Sequence, residues 1–146
     1  MDIRIDQLAG TDTAAQALCH TIRRVVFCDE QRVPPALEWD DLDPICTHYL
    51  LYVDGVPAAT ARVRLYKPGV IKIERVAALK QYRRLGIGRR LMERVMADLS
   101  QGPATEAVMN AQTQVRSFYE QFGFVASGPE FVEADIPHIF MSMKLR

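Results

Sequence analysis

A charge of one sign, a long apolar run and a cysteine framework are all missing from this chain, and each absence removes a class of function. Eighteen basic residues balance eighteen acidic ones, so no global field favours nucleic acid or an anionic membrane, and anion recognition must be local. No apolar stretch approaches membrane-spanning length. The opening Met1-Asp2-Ile3-Arg4-Ile5-Asp6 alternates charge and hydrophobe where a signal peptide needs a basic start and an apolar run. The expected location is therefore cytoplasmic, with neither nucleic acid nor membrane as partner. Cys19, Cys28 and Cys46 are odd in number and lack metal-type pairing, which fits free thiols in a reducing compartment. Low-complexity linkers, repeats and composition breaks are absent too. The expectation is one domain over residues 1–146, soluble and globular at 49% apolar and 25% charged.

The hydrophobic period changes several times along the chain. Ile3, Ile5 and Leu8 predict a first strand. Thr13 with Gln16 resembles a capping box, and Ala15, Leu18, Ile22, Val25 and Val26 form a helical stripe ending near Asp29. From Glu30 to Cys46, Pro34, Pro35 and Pro44 and the acidic set Glu38, Asp40, Asp41 and Asp43 predict a short helix or loop. Asp54-Gly55 signals a hairpin between Tyr49–Val53 and the alternating Ala59, Ala61, Val63 and Leu65. A strand from Val70 to Leu79 leads to a helix with Ile87, Leu91, Met92, Val95, Met96 and Leu99 on one face, stopped by Gly102-Pro103. Val108 to Ala111 is the next strand, and the intervening helix makes this a βαβ unit with a parallel pair. A short helix at Val115 to Phe122 closes at Gly123, and Phe124–Ala126 with Ile139–Leu145 make a final antiparallel pair.

The run Arg83-Arg84-Leu85-Gly86-Ile87-Gly88 sits where that strand enters the helix. Such a turn leaves the first helical N–H groups unpaired and favourable for an anion. A P-loop needs lysine and a hydroxyl residue after its last glycine, and Gly88 is followed by Arg89-Arg90. A dinucleotide fingerprint needs a third glycine where Leu91 stands. A coenzyme A pyrophosphate remains. A solvated helix face is the plain reading of Arg83, Arg89 and Arg90, but their position at the glycine turn favours at least one phosphate contact.

Arg83 to Gly88 resembles the signature of the GNAT (GCN5-related N-acetyltransferase) family: Arg or Gln, two residues, Gly, one residue, Gly or Ala. Ile73–Ala78 is similar to the strand that leads in, and Asn110 with Phe118–Phe124 to the second block. Val26-Phe27, Glu30-Gln31, Val33-Pro34, Glu38, Asp40, Asp43, His48, Asn110–Gln112 and Ile136–His138 resemble the ElaA/YjcF-like branch. Arg84 departs from the pattern, standing where many members have glycine.

The resemblance implies a mixed α/β fold whose central sheet is mostly antiparallel, with one splayed parallel pair and flanking helices. It also implies acetyl transfer from acetyl-CoA to a primary amine of a small molecule or peptide, by direct ternary-complex transfer and with no metal. Val76, Ala77 and Ala78 would border the pantetheine and acetyl group. The N–H groups of Arg84, Leu85, Gly86, Ile87, Gly88 and Arg89, with the Arg83 side chain, would hold the pyrophosphate, and Asn110 would touch the cofactor. Tyr119 matches the family's usual general acid, although helical spacing alone makes it a core aromatic. Glu74 is a candidate base but also a partner for Arg62, Arg64 or Arg75. Glu30, Glu38, Trp39, Asp40 and His138 are the acceptor-side candidates. Against that stand a solvated loop for the acidic set, whose spacing lacks a calcium-loop pattern, and structural histidines at His138 and His48. A coenzyme A-binding regulatory module without transfer chemistry is the alternative, and oligomeric state is expected to be monomer or homodimer.

Overall fold

A computed structural model describes residues 1–146. Seven strands form one sheet in the order β1-β2-β3-β4-β5-β7-β6. They are β1 Ile3–Ala9, β2 Thr47–Val53, β3 Val56–Lys67, β4 Val70–Ala78, β5 Glu106–Gln112, β6 Val125–Glu133 and β7 Ile136–Lys144. Every neighbouring pair is antiparallel except β4 with β5, which the crossover helix α3 (Ile87–Gln101) forces to be parallel. The mixed α/β architecture with one parallel pair is thus the observed one. No helix is long and apolar enough to cross a membrane.

The helices follow the apolar spacing where burial is purely hydrophobic. Ile87, Leu91, Met92 and Val95 of α3 are buried against Tyr49, Leu51 and Ala61 of the sheet and its other core residues. Each contributes roughly 1.5–3 kcal/mol through removal of apolar surface from water. Helix α4 (Arg116–Glu120) is short and buries Tyr119.

Helix α1 (Thr13–Arg23) departs from the sequence reading in its cap and its stripe. Asp12, not Thr13, caps it, accepting from the Ala15 N–H at 3.1 Å. Ile22 and Val26 of the expected stripe are buried, but the rest of the buried face is Gln16, Cys19 and Arg23, and Leu18 is exposed. Gln16 lies on that buried face with both amide atoms unpartnered. The helix continues as a π-helical turn, Arg24–Glu30. Strand β6 also extends well past Ala126, to Glu133, with a register irregularity between Ser127 and Phe131. There Gly128 takes φ +79°, and Pro129 has no N–H to give to a ladder.

In the acidic segment Asp41 is exposed, but Glu38, Asp40 and Asp43 are neither solvated nor free. Helix α2 (Pro35–Glu38) and the loop after it fold back over β3 and β4, and four arginines meet four carboxylates there. Arg23, 1% exposed, grips Glu38 through Nε (2.7 Å) and Nη2 (2.9 Å) and reaches Asp43 through Nη1 (2.8 Å). Arg62, fully buried, clamps Asp40 at 2.9 and 2.7 Å, donates to Asp43 at 3.0 Å, and pairs with Glu74 at 3.3 Å. Arg75 pairs with Asp40 at 3.1 Å and Arg64 with Glu74. His48, buried in β2, donates Nε2–H to the Asp43 carbonyl at 3.0 Å, the structural reading of that residue.

Removing one buried partner from such a set leaves uncompensated charge. Arg62→Ala is expected to destabilise the fold by about 3–5 kcal/mol, measured by urea unfolding.

The same set makes stability acid-sensitive. Burial alone would raise the Asp40 carboxyl, but hydrogen bonds from Arg62 and the Leu42 N–H and the charges of Arg62 and Arg75 outweigh it, leaving it at about 2. Burial pushes the His48 imidazole below its ordinary 6.5, only partly offset by Asp43. Both folded-state values lie below the unfolded ones, so both contributions are complete above the unfolded pKa and are lost as pH falls. Thermal melts should show Tm declining first below about pH 6.5, from His48, and again between about pH 4 and 2, from Asp40. A Tm that rises on acidification overturns the assignment.

Candidate active site

Pairing between β4 and β5 covers only Val70 to Lys72 against Glu106 to Val108. Beyond that the strands part, and β5 pairs through Gln112 with β7 alone. Just past the last paired residue, β4 carries a bulge against β3. Arg62 faces Glu74 and Thr60 faces Ala77, so Arg75 and Val76 together stand opposite the one residue Ala61. Arg75 takes φ +54°, the left-handed backbone that lets a strand kink. Its guanidinium is held by Asp40 and the Glu38 carbonyl, at 3.1 and 3.3 Å. The ion network therefore pins the bulge, which lies in the stretch of β4 that β5 leaves unpaired.

The opening leads into a cleft of about 1020 Å³. Its walls include Lys72–Ala78 of β4, Met109–Gln112 of β5, Val26, Phe27 and Glu30 of the π-helical turn with Gln31 that caps it, and Phe118 and Tyr119 of α4. Unpaired strand edges on both sides carry main-chain N–H and C=O groups that need partners.

At one end lies the glycine turn. Gly86 caps α3 at φ +74°, and Arg84 also lies left-handed at φ +73°, the conformation for which glycine is the default. The first helical hydrogen bond runs from Arg90 N–H to Gly86 at 3.1 Å. It leaves the N–H groups of Ile87, Gly88 and Arg89 without backbone acceptors. A Cβ at Gly88 would meet only the Phe118 ring, at 3.6 Å, so protein packing does not require glycine there and the space is open to an anion.

The arginines of the turn differ in their commitments. Arg83 is held by Glu30, with Nη2 to Oε1 at 2.8 Å, and by the Ala78 carbonyl at 2.9 Å. Arg89 donates to Gln121 at 2.6 Å. Arg84 lines the cleft and forms no ion pair. Leu85 is 48% exposed and lies outside the cleft walls, so its side chain has no part in them.

Val76, Ala77, Ala78 and Asn110 line the cleft, as does Tyr119 at 7% exposure. Burial raises the Tyr119 phenol well above its ordinary value, with no hydrogen bond or charge opposing it. It packs edge-on against Phe118 and Phe124 and remains a neutral hydrogen-bond donor at working pH.

On the acceptor side the charges differ from the sequence reading. Glu74 lines the cleft but is clamped by Arg62 and Arg64, which commits its lone pairs and opposes a role as free base. Glu38, Asp40 and Glu30 also reach the wall already paired, with Arg23, Arg62 and Arg83 respectively. Trp39 is not in the wall; it packs on His20, ring centroids 4.6 Å apart, and beneath Arg23. His138 does line the cleft. A bridge with no local sequence signal joins Gln31 to Gln112, amide to amide at 2.9 Å across 81 residues. It spans from the π-helical turn to β5, and only the folded chain brings the two together.

A family model described as an acetyltransferase (GNAT) domain matches residues 26–145. The chain belongs to the GNAT family. It stands in the ElaA/YjcF-like branch: the N-acetyltransferase YjcF of Bacillus subtilis is 37% identical over 121 residues, covering 82% of this chain and 86% of that protein. An acyl-CoA N-acyltransferase from Pseudomonas aeruginosa superposes with a TM-score of 0.88 at 28% identity, over 97% of this chain and 99% of that one. Escherichia coli ElaA, 24% identical, has the same fold at a TM-score of 0.88, with 97% and 99% covered. GNAT proteins are acyltransferases that use acyl-CoA. The free N–H groups at Ile87 to Arg89 and the two unpaired strand edges fit such a donor.

The left-handed Arg84 carries a cost that glycine does not. Arg84→Gly is expected to stabilise the folded protein by roughly 0.5–1 kcal/mol, read from urea midpoints. A loss of stability would mean that the Arg84 side chain holds the turn.

Proposed function

We propose that this chain is an N-acetyltransferase, moving acetyl from acetyl-CoA to a primary amine of a small molecule or peptide in a direct ternary complex. The observation that carries the reading is that the free helix N-terminus, the bulged edge of β4 and the Tyr119 phenol share one cleft. The N–H groups from Arg84 to Arg89, with the uncommitted Arg84 guanidinium, hold the pyrophosphate. Val76 and Ala78 pair through their main chain with the pantetheine arm, and Asn110 faces them from β5. The Ala77 N–H donates to the acetyl oxygen, where negative charge develops during attack.

Tyr119 stabilises the departing sulfur. A phenol whose pKa is raised by burial holds its proton too tightly to be a strong acid, but a neutral O–H donates a hydrogen bond to a thiolate throughout the working range. No protein nucleophile is required, because Cys19 and Cys46 are buried and burial raises the thiol pKa of Cys28. Since Glu74, Glu38 and Asp40 are neutralised by arginines, they shape the acceptor wall rather than offer it free charge.

Thiol release from acetyl-CoA against a panel of primary amines tests the reading. Tyr119→Phe should lower kcat on the order of 10²-fold while leaving acetyl-CoA affinity unchanged in calorimetry; unchanged turnover sinks the donor role. Arg84→Ala should weaken acetyl-CoA binding roughly two- to fivefold and leave kcat intact. Acetyl-CoA binding with no release against any amine would favour the regulatory module.

A further inference from the structure

With Glu74 clamped, the transfer needs another group to take the proton of an incoming ammonium. His138 lies in β7, opposite Gln112 of β5 and Phe131 of β6, and lines the cleft beside Ile136. Its Nδ1 is 2.7 Å from the Ile136 carbonyl oxygen. A carbonyl only accepts, so Nδ1 carries the hydrogen and the lone pair of the neutral ring stands on Nε2. Phe131 stacks on the ring at 5.9 Å and 22°, fixing its plane. Nε2 makes no hydrogen bond and is not sealed off from solvent. The charged group that faces it is Glu133 of β6, with Oε2 at 3.9 Å and a side chain 55% exposed. From β5 it meets the uncharged Gln112, and the nearby turn is Thr113–Val115. Across the cleft, Glu74, Arg75, Glu38 and Asp40 are committed to one another and to Arg62, Arg64 and Arg23.

We infer that His138 Nε2 is the general base for the acceptor, and that Glu133 draws the ammonium form to it. The inference rests on the transferase reading above. Val33, Leu37, Val115 and Ile136 are apolar residues of the same cleft, which favours a primary amine carried on an apolar body, of the benzylamine class. Nε2 takes one proton from the ammonium and becomes imidazolium beside Glu133. The freed amine lone pair forms the N–C bond to the acetyl carbon as the C–S bond breaks. The second amine proton goes to the leaving sulfur, giving the thiol, and His138 releases its proton to solvent. One ammonium and one thioester thus become one amide, one thiol and one proton.

The test uses the full chain with acetyl-CoA and benzylamine. His138→Asn keeps a donor for the Ile136 carbonyl but has no lone pair at Nε2, so a structural role would survive it. kcat/KM for benzylamine should fall 10²-fold or more, with acetyl-CoA affinity and Tm unchanged. The acid limb of the pH–rate profile should disappear, and added imidazole should restore turnover in His138→Ala. Glu133→Gln should raise KM for benzylamine roughly threefold without changing kcat. A His138→Asn enzyme within threefold of wild type overturns the base while leaving the transferase standing. Failure of wild type to bind acetyl-CoA would overturn the transferase reading instead. Nitrogen NMR of the wild-type imidazole decides independently of turnover and of variant folding: an Nε2–H tautomer, or an Nε2 resonance unmoved by benzylammonium, overturns the assignment.

Discussion

Arg62 enters the middle of the sheet with no exposure to solvent, and a guanidinium cannot shed its charge to escape that environment. It must be paired, and Asp40, Asp43 and Glu74 pair it. Those partners come from the loop after α2 and from β4, so satisfying one buried cation ties the N-terminal lip to the sheet centre. Arg23 repeats the logic from α1. The set specifies geometry more than it adds stability, since desolvation offsets much of the attraction between buried ions. A lip closed by apolar packing could slide; one closed by bidentate guanidinium forks has a single register.

That register reaches the chemistry through Arg75. Its side chain belongs to the network and its backbone makes the bulge. From Ile73 onward, the bulge included, β4 does not pair with β5, and the unpaired edges of the two strands border a cleft instead of a ladder. The glycine turn closes one end, while the β6–β7 hairpin brings Glu133 and His138 to the wall. The sheet thus sacrifices hydrogen bonds at its only parallel pair and gains a place where an extended thioester can supply them.

Much of this was legible from local pattern. The strand–turn–helix at Ile73 to Leu99 is contiguous, so its apolar period and glycines report its shape directly, and the crossover requires the parallel pair. The hairpin at Asp54-Gly55 is likewise local. The acidic segment was not legible, because what decides whether Glu38 is a free lip or a buried partner is Arg23, fifteen residues away, and Arg75, on another strand. Helical spacing likewise picked out Ile22 and Val26 but put Leu18 on the buried face and left out Gln16 and Arg23. A period counts apolar residues and cannot know that a distant carboxylate will make an arginine fit to bury. Arg84 shows the limit from the other side: its left-handed angle was open in the sequence and is imposed by the turn that Gly86 completes.

The sequence by itself determined the order of elements, the parallel crossover, the glycine turn at the start of α3 and the family, because each depends on residues that are neighbours along the chain. Tertiary structure alone decided which carboxylates are neutralised, which arginine of the turn is free, where the sheet opens, and that Trp39 packs behind the lip while His138 lines the cleft. Those outcomes depend on charges and rings meeting across strands and helices, where pairing and burial set one another, and no spacing along the chain encodes that distance.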